Sequence, residues 1–503
     1  MPLVSFARHL ADLASAAPAA IAVTDDRRSV DRRRLNREAA ALADRLRCLG
    51  AGPGDFVTIA LGNGIEFVEA FIACWMIGAI PQPVSSKLPD AELDAIVELA
   101  GSAVVVGRVH AGRPSLATWD GAAVDDDATL PDPSTYDDVV SPSWKAPTSG
   151  GSTGRPKLIV HGDPSLLDPD AEPILLIQRD GCLVMPGPMY HNGPLSWTLL
   201  SLLAGNHVVV TDRFDAARTL ALLEEHRANM VYLVPTMMKR ISRLPAEVRE
   251  SADLSALQVV WHLAEPCPAW LKEEWIEWLG PKRIWELYAG TENQASTVIR
   301  GDQWLEHRGS VGRVSSGEMA VFDADGAALP PGEVGEIFMR RTPGLAPSYR
   351  YVGAEPRTIG DGWESLGDMG WMDADGFLYL ADRKTDMILS GGANIYPAEI
   401  EAALNEHPAV LSAAVIGLPD DDLGNRVHAI VQTDPDAIDD GATDADDLRN
   451  HLSDRLVRYK VPRSFEFVTE PLRDEAGKVR RSQLRADRVT PPPTSTPSQE
   501  TQQ

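Results

Sequence analysis

The densest chemical signal in the chain is the run Thr148-Ser149-Gly150-Gly151-Ser152-Thr153-Gly154-Arg155-Pro156-Lys157. Glycines let backbone N–H groups approach an anion closely, hydroxyls donate to its oxygens, and lysine supplies the opposing charge. A loop of that composition suits a polyphosphate. It is not a P-loop, because the pattern G-x-x-x-x-G-K-[ST] is not matched. Taken in isolation it also fits a flexible surface linker. A third reading lies inside it, since Gly150 to Gly154 satisfies G-x-S-x-G, the turn that presents a nucleophilic serine, here Ser152, in serine hydrolases. That turn needs a buried strand before it and a helix after it. The preceding SPSWKAPT is a poor strand, and the following KLIVHG reads as a strand itself.

The elements that must hold such a loop belong to a chain of 503 residues, 44% hydrophobic and 24% charged. That length corresponds to about two to four globular domains. Lys and Arg number 47 against 73 Asp and Glu, a net charge of −26. This balance argues against non-specific nucleic-acid binding and against docking on anionic lipid, both of which need a basic face. A small phosphorylated ligand in a local basic cleft remains compatible. Cys48, Cys74, Cys182 and Cys267 are far apart without a C-x-x-C pair, so neither a disulfide framework nor a zinc site is expected, and reduced thiols of a cytosol fit. His9, Asp12 and Pro18 interrupt the N-terminus, which is too polar for a signal-peptide core. The most apolar run, residues 70–80, is about half of the ~20 residues that a membrane span requires. The expectation is a soluble, cytoplasmic protein.

Leu35, Ala39, Leu42, Leu46 and Leu49 recur at helical spacing over residues 35–49. A strand follows at 56–61, an apolar helix at 66–77, and further buried strands at 103–106 and 206–210. Alternating strands and helices predict an α/β fold with mostly parallel sheets. Residues 395–430 read as helix, strand, strand, 446–460 as a helix and 464–468 as a strand. Together they make a small α+β domain of about 100 residues beginning between Gly367 and Gly391. Residues 433–447 are acidic and read as a solvated loop. Residues 490–503 have the Pro/Ser/Thr/Gln composition of a disordered tail.

The loop resembles the signature T-S-G-[ST]-T-G-x-P-K of the adenylate-forming superfamily, which includes acyl-CoA synthetases, peptide-synthetase adenylation domains and luciferases. Thr153, Gly154, Pro156 and Lys157 match it, and residues 149–152 are a variant spelling. Other motifs follow in the family's order. Residues 286–292 (ELYAGTE) resemble Y-G-x-T-E, with Ala289 in place of the first glycine and Gly290 after it. The resemblance implies that Tyr288 stacks on adenine, Thr291 contacts the α-phosphate and Glu292 holds Mg²⁺. His262-Leu263-Ala264-Glu265-Pro266 stands where relatives have the adenine-side G-G-[AE]-P, with Leu263 and Ala264 replacing glycines. Leu366-Gly367-Asp368 resembles [TL]-G-D, whose aspartate takes the ribose hydroxyls. Asp382-Arg383-Lys384-Thr385-Asp386 matches the D-R-x-x-D hinge, in which Arg383 also reaches the nucleotide. Residues 390–401 (SGGANIYPAEIE) match G-x-x-I-x-P-x-E-[IV]-E, where Gly391 and Gly392 would let pantetheine pass. Ala476-Gly477-Lys478 resembles the terminal G-K, although the proline and threonine of the usual P-x-T-x-x-G-K are missing. The implied organisation is a nucleotide- and acid-binding domain over 1–381, a mobile domain over 382–489 and a tail over 490–503.

The reaction that the resemblance implies joins ATP and a carboxylate into an acyl-adenylate and pyrophosphate, followed by transfer to CoA. Two anions must meet, so the barrier is mainly electrostatic, and Mg²⁺ on Glu292, the loop and Lys478 would offset the charge at phosphorus. Pro188-Met189-Tyr190-His191-Asn192-Gly193 resembles P-x-[FY]-H, whose histidine, here His191, gates the acid pocket. Leu233–Met238 holds no aspartate for an α-amino group, which argues against an amino acid substrate. The spellings TSGGSTGRPK, PMYHNGP, HLAEPCP and LRDEAGK are most similar to those of bacterial CoA ligases for bulky polycyclic acids of bile-acid or terpenoid type. The expected partners are a small carboxylic acid and CoA, or a separate acyl acceptor if the enzyme stops at the adenylate, with a homodimer allowed.

Overall fold

The computed structural model describes residues 3–121, 130–150, 156–433, 444–474 and 477–489. The helix expected over 35–49 spans Arg32–Cys48, and the Asp31 side chain caps it by accepting from the Arg34 N–H. Its stripe of Leu35, Ala39, Leu42 and Leu46 is buried. The next helix, Ile65–Met76, is buried along its whole length. Among the described residues no helix is long and apolar enough to cross a membrane. Strands Phe56–Ile59, Ile80–Pro83, Val104–Val106 and Ser115–Leu116 form a parallel sheet beside these helices.

A second, larger sheet carries the site. Its parallel strands run in the order His207–Val210, Cys182–Met185, Met230–Leu233, Val259–His262 and Ile284–Ala289. Helices Asn192–Leu203, Ala216–Glu225, Pro235–Ser242 and Ala269–Leu279 lie between them in sequence. The parallel arrangement stops at Ala289. Strands Ser296–Arg300, Ser310–Ser316, Phe377–Arg383 and Glu364–Met372 continue the same sheet antiparallel. Parallel neighbours need a long crossover, usually a helix, whereas short connections return the chain antiparallel. Ligands of such sheets bind beyond the carboxyl ends of the parallel strands, and Thr236, Glu265 and Thr291 all lie just past those ends.

Thr148–Gly150 pairs antiparallel with Pro156–His161, which pairs in turn with Tyr349–Val352. A strand, not a helix, therefore follows the Gly/Ser/Thr run, and the context required for a nucleophilic Ser152 is missing. Ser152 itself lies outside the described residues.

The C-terminal residues build a core of their own, in which Ile388, Ile400, Leu404, Val415, Val431 and Leu448 pack together. It comprises helix Pro397–Asn405, the antiparallel pair Val410–Asp420 and Gly424–Thr433, and Ser464–Val468 parallel to the second of these. Helices Ala445–Ser453 and Arg481–Val489 flank it. The helix expected over 446–460 thus ends at Ser453, and a short 3-10 turn, Arg458–Lys460, precedes Pro462. Proline disfavours helical backbone at the residue before it. The tail and residues 434–443 of the acidic stretch lie outside the described residues.

Candidate active site

Tyr288, near the carboxyl end of strand Ile284–Ala289, donates its hydroxyl to Asp368 Oδ2 at 2.6 Å. Asp368 Oδ1 is 3.3 Å from Arg383 Nε, and these two residues are cross-strand partners. Burial and the Asp368 carboxylate hold the Tyr288 phenol well above its ordinary pKa. Three residues from separate motifs therefore meet. Ala289 pairs with Ser296 as an ordinary strand residue, which explains why a side chain is tolerated there. Gly290 differs, because a Cβ would run into Leu366 and close on Glu292. The Asn293 N–H donates to Gly290 O at 3.1 Å, closing a turn with Thr291 and Glu292 at its centre.

Glu292 is buried. Its Oε1 accepts from the Tyr351 hydroxyl at 2.5 Å and lies 3.4 Å from Lys157 Nζ. The Lys157 ammonium stands 3.9 Å from the centre of the Tyr351 ring, a cation–π contact. Ser149 is the cross-strand partner of Lys157, Gly150 pairs with Pro156, and Thr148 accepts from Gln82 Nε2 at 2.6 Å. Both described ends of the Gly/Ser/Thr run are thus anchored, while Gly151, Ser152, Thr153 and Gly154 lie outside the described residues. Among the described residues no three metal-binding side chains cluster. A lone buried carboxylate suits Mg²⁺ only when phosphate oxygens and water complete the shell, which is how Mg²⁺ is commonly held. Glu292 fits that donor set.

His191 is the N-cap residue of helix Asn192–Leu203. Its ring lies 4.3 Å from that of Tyr190, and its Nε2 is buried without a hydrogen-bond partner. Burial, reinforced by the charge of Lys478, pushes the imidazole down to about 3, so it is neutral across the physiological range. An orphaned ring nitrogen in this position can bond a substrate oxygen. Behind it, a Cβ on Gly193 would collide with the Tyr232 hydroxyl. Tyr232, Trp197 and Trp261 pack edge-to-face at 5.2 and 5.7 Å within the hydrophobic core.

Ala264 has φ +73°. The left-handed region disfavours residues with a Cβ, so this alanine occupies a conformation that suits glycine better. Glu265 turns inward, accepting from Thr236 Oγ1 at 2.8 Å, and burial raises its carboxyl to about 7. Pro266 is exposed.

The turn that carries Lys478 closes against Glu265. Gly477 has φ +80°, and a Cβ there would overlap the Glu265 carboxyl. Asp474, at the position of the missing threonine, accepts from the Lys478 N–H at 2.9 Å. Arg473 donates to Gly477 O at 3.0 Å and to Glu401 Oε2 at 3.1 Å. Glu401 Oε1 also accepts from the Val415 N–H and from Arg481 Nη2, at 2.8 Å each, so it ties the turn to the C-terminal core. Burial and the Arg383 charge lower the Lys478 pKa, against the pull of Asp474 and Glu292. Lys478 therefore stands within electrostatic reach of His191, Arg383 and Glu292.

Gly391 and Gly392 are not brought to this group. They form the two-residue turn between Ile388–Ser390 and Ala393–Ile395, with φ +56° and +83°, the conformation such hairpins demand. The Gly391 N–H donates to Leu423 O at 2.9 Å, and a Cβ on Gly392 would meet open space. Sequence reasoning missed Tyr351 and left Glu401 without a role. The alternation of Tyr349 and Tyr351 in SYRYV was the available signal, since residues two apart on a strand share a face.

Residues 10–350 match the model of the AMP-binding enzyme family, and residues 399–478 match that of the AMP-binding enzyme C-terminal domain. A feruloyl-CoA synthase from an Amycolatopsis species is 31% identical over 471 residues, covering 90% of this chain and 92% of that one. The o-succinylbenzoate CoA synthetase of Bacillus subtilis, solved with its acyl-adenylate intermediate, superposes with a TM-score of 0.77 at 25% identity, covering 96% of this chain and 98% of that one. The same enzyme has been solved with ATP and magnesium. The amide bond synthetase of Marinactinospora thermotolerans gives a TM-score of 0.76 at 26% identity over 96% and 98% of the two chains. With both family models matched in order and a 31% identical relative aligned over nearly its full length, the chain belongs to the AMP-binding enzyme family of adenylate-forming ligases.

Proposed function

We propose that this chain activates a bulky, polycyclic carboxylic acid in two half-reactions, and the observation that carries this is the docking of the Lys478 turn on Glu265, within charge range of His191, Arg383 and Glu292. In the first, a carboxylate oxygen of the acid attacks the α-phosphorus of ATP, the bond to the β-phosphate oxygen breaks, and pyrophosphate leaves. Lys478 bridges the incoming carboxylate and the α-phosphate, and Thr291 orients that phosphate. The neutral His191 imidazole holds a substrate oxygen through its orphaned Nε2. Tyr288 flanks the adenine, while Asp368 and Arg383 take the ribose and phosphate side. Magnesium bound at Glu292 supplies neutralisation of phosphate charge. In the second half-reaction the sulfur of CoA attacks the acyl carbonyl carbon and AMP leaves with the bonding pair.

The segments 1–381 and 382–489 act as two domains hinged at 382–386, so that the second half-reaction brings a different face of the smaller domain to the site. Gly391 and Gly392 belong to that second face. The polycyclic acid is supported by the spellings TSGGSTGRPK, PMYHNGP and LRDEAGK. The likeness to a feruloyl-CoA synthase supports a ring-bearing acid as well.

A second reading is favoured by the likeness to an amide bond synthetase: the enzyme makes the adenylate and passes the acyl group to an amine. Pyrophosphate release with ATP·Mg²⁺ and steroid, diterpenoid, hydroxycinnamic, aryl and fatty acids, with and without CoA, tests both. Acyl-CoA formed from a polycyclic acid is the expected result. Turnover confined to simple aryl or fatty acids overturns the substrate class, and acyl-adenylate accumulating beside untouched CoA overturns the thioester step.

A further inference from the structure

Helix Pro235–Ser242 joins the acid side of the site to the C-terminal core. Its first turn carries Thr236, bonded to Glu265. Its other end carries Lys239 and Arg243, four residues apart and therefore on one face. Lys239 is buried, and among the described residues it forms no ion pair with a carboxylate. Its Nζ donates instead to Asn405 O at 3.0 Å, Asn405 Oδ1 at 3.0 Å and Val410 O at 3.2 Å. Arg243 Nη2 donates to Val410 O at 2.7 Å and Pro408 O at 3.4 Å. Asn405 is the last residue of helix Pro397–Asn405. The final carbonyls of a helix lack intrahelical donors and carry the negative end of its dipole. Lys239 thus caps the end of that helix, and both cations of one core share the Val410 carbonyl at the start of the following strand of the other.

A buried ammonium without a carboxylate is tolerated only when its N–H groups are bonded. All three acceptors of Lys239 come from the C-terminal core, so any rotation of that core removes them together. The Glu265–Gly477 contact and the cation cap sit at opposite ends of the same short helix, which therefore registers the position of the Lys478 turn and of helix Pro397–Asn405 at once.

We infer that Lys239 and Arg243 are positioning residues that select the domain orientation in which Lys478 faces His191, and that this cap must open for the acyl-transfer step. The inference rests on the proposed cycle of two orientations. The test compares the full-length wild type with Lys239→Met, Arg243→Met, the double variant and Lys239→Arg. In the double variant, single-turnover pyrophosphate release should fall at least ten-fold. Consumption of preformed acyl-adenylate by CoA should be unchanged or faster, and Lys239→Arg should retain most of the first activity. Amide hydrogen exchange over 235–243 and 405–411 should rise in the double variant, while strands 182–185 and 230–233 stay protected. An equal loss of both half-reactions, or unaltered exchange in both segments, overturns the inference. A wild-type chain that releases no pyrophosphate with any acid defeats the proposed function alone, because the exchange measurement needs no substrate.

Discussion

Gly477 packs directly on the carboxyl group of Glu265, leaving no room for a Cβ between the Lys478 turn and the end of strand Val259–His262. The two residues come from motifs more than two hundred positions apart. Their contact holds the Lys478 turn against the end of that strand.

Gly477→Ala should therefore push the turn outward while leaving both cores intact. A misplacement of about 1 Å at a reacting group can cost roughly 10²-fold in rate, and a loss of that order is expected in pyrophosphate release, with a thermal transition close to wild type. Wild-type turnover by this variant would remove the contact from any positioning role.

Glu265 makes the same contact pH-dependent. Burial raises its carboxyl to about 7 in the docked turn, against an ordinary glutamate value of about 4.3. Protonation therefore favours docking: the contribution is complete below the undocked value and is lost as pH rises through the docked one. Wild-type adenylation should weaken as pH rises across roughly 4 to 7 and level off above that, relative to Glu265→Gln, whose carboxamide cannot ionise and whose profile should stay flat there. Parallel profiles for the two proteins would mean that Glu265 does not titrate in this window.

His191 should contribute no ionisation of its own near neutrality, because burial keeps it neutral down to about 3. His191→Ala should lower the adenylation rate about ten-fold or more, as expected for a lost hydrogen bond to a charged substrate group, without changing the shape of the pH–rate curve between pH 6 and 8. A limb that disappears in this variant would assign it a titrating role instead.

Ala264 holds a left-handed backbone with φ +73°, which costs a residue with a Cβ about 1–2 kcal/mol. Part of that is returned on substitution as extra unfolded-state entropy of glycine. Ala264→Gly should thus raise stability by about 0.5–1 kcal/mol in urea denaturation. Destabilisation would indicate that the methyl group packs usefully.

Glu292 is the described carboxylate best placed to hold Mg²⁺. Glu292→Gln retains an acceptor for Tyr351 but removes the charge, and the Mg²⁺ concentration giving half-maximal pyrophosphate release should rise by about ten-fold or more. An unchanged Mg²⁺ dependence would place the ion elsewhere.

Much of this was legible in the one-dimensional chain because it is written in local rules. The stripe of Leu35, Ala39, Leu42 and Leu46 specifies a helix face, the Gly391–Gly392 pair specifies a tight hairpin, and the ordered motifs around Lys157, Tyr288, Asp368, Arg383 and Lys478 specify the family. Periodicity and backbone permissiveness act over a few residues, so they survive without a structure. The partners did not. Tyr351 on Glu292, Glu401 beneath Arg473, Gly477 on Glu265 and Lys239 against Asn405 each join residues 59 to more than 200 positions apart. No local pattern encodes those distances. The exchange from parallel to antiparallel strands at Ala289, and the orphaned Nε2 of His191, depend likewise on which surfaces exclude water once the sheets have closed. Sequence alone determined which chemistry the chain carries; the packing of one core on the other decided which of those residues face one another, because burial and hydrogen-bond geometry exist only after distant segments meet.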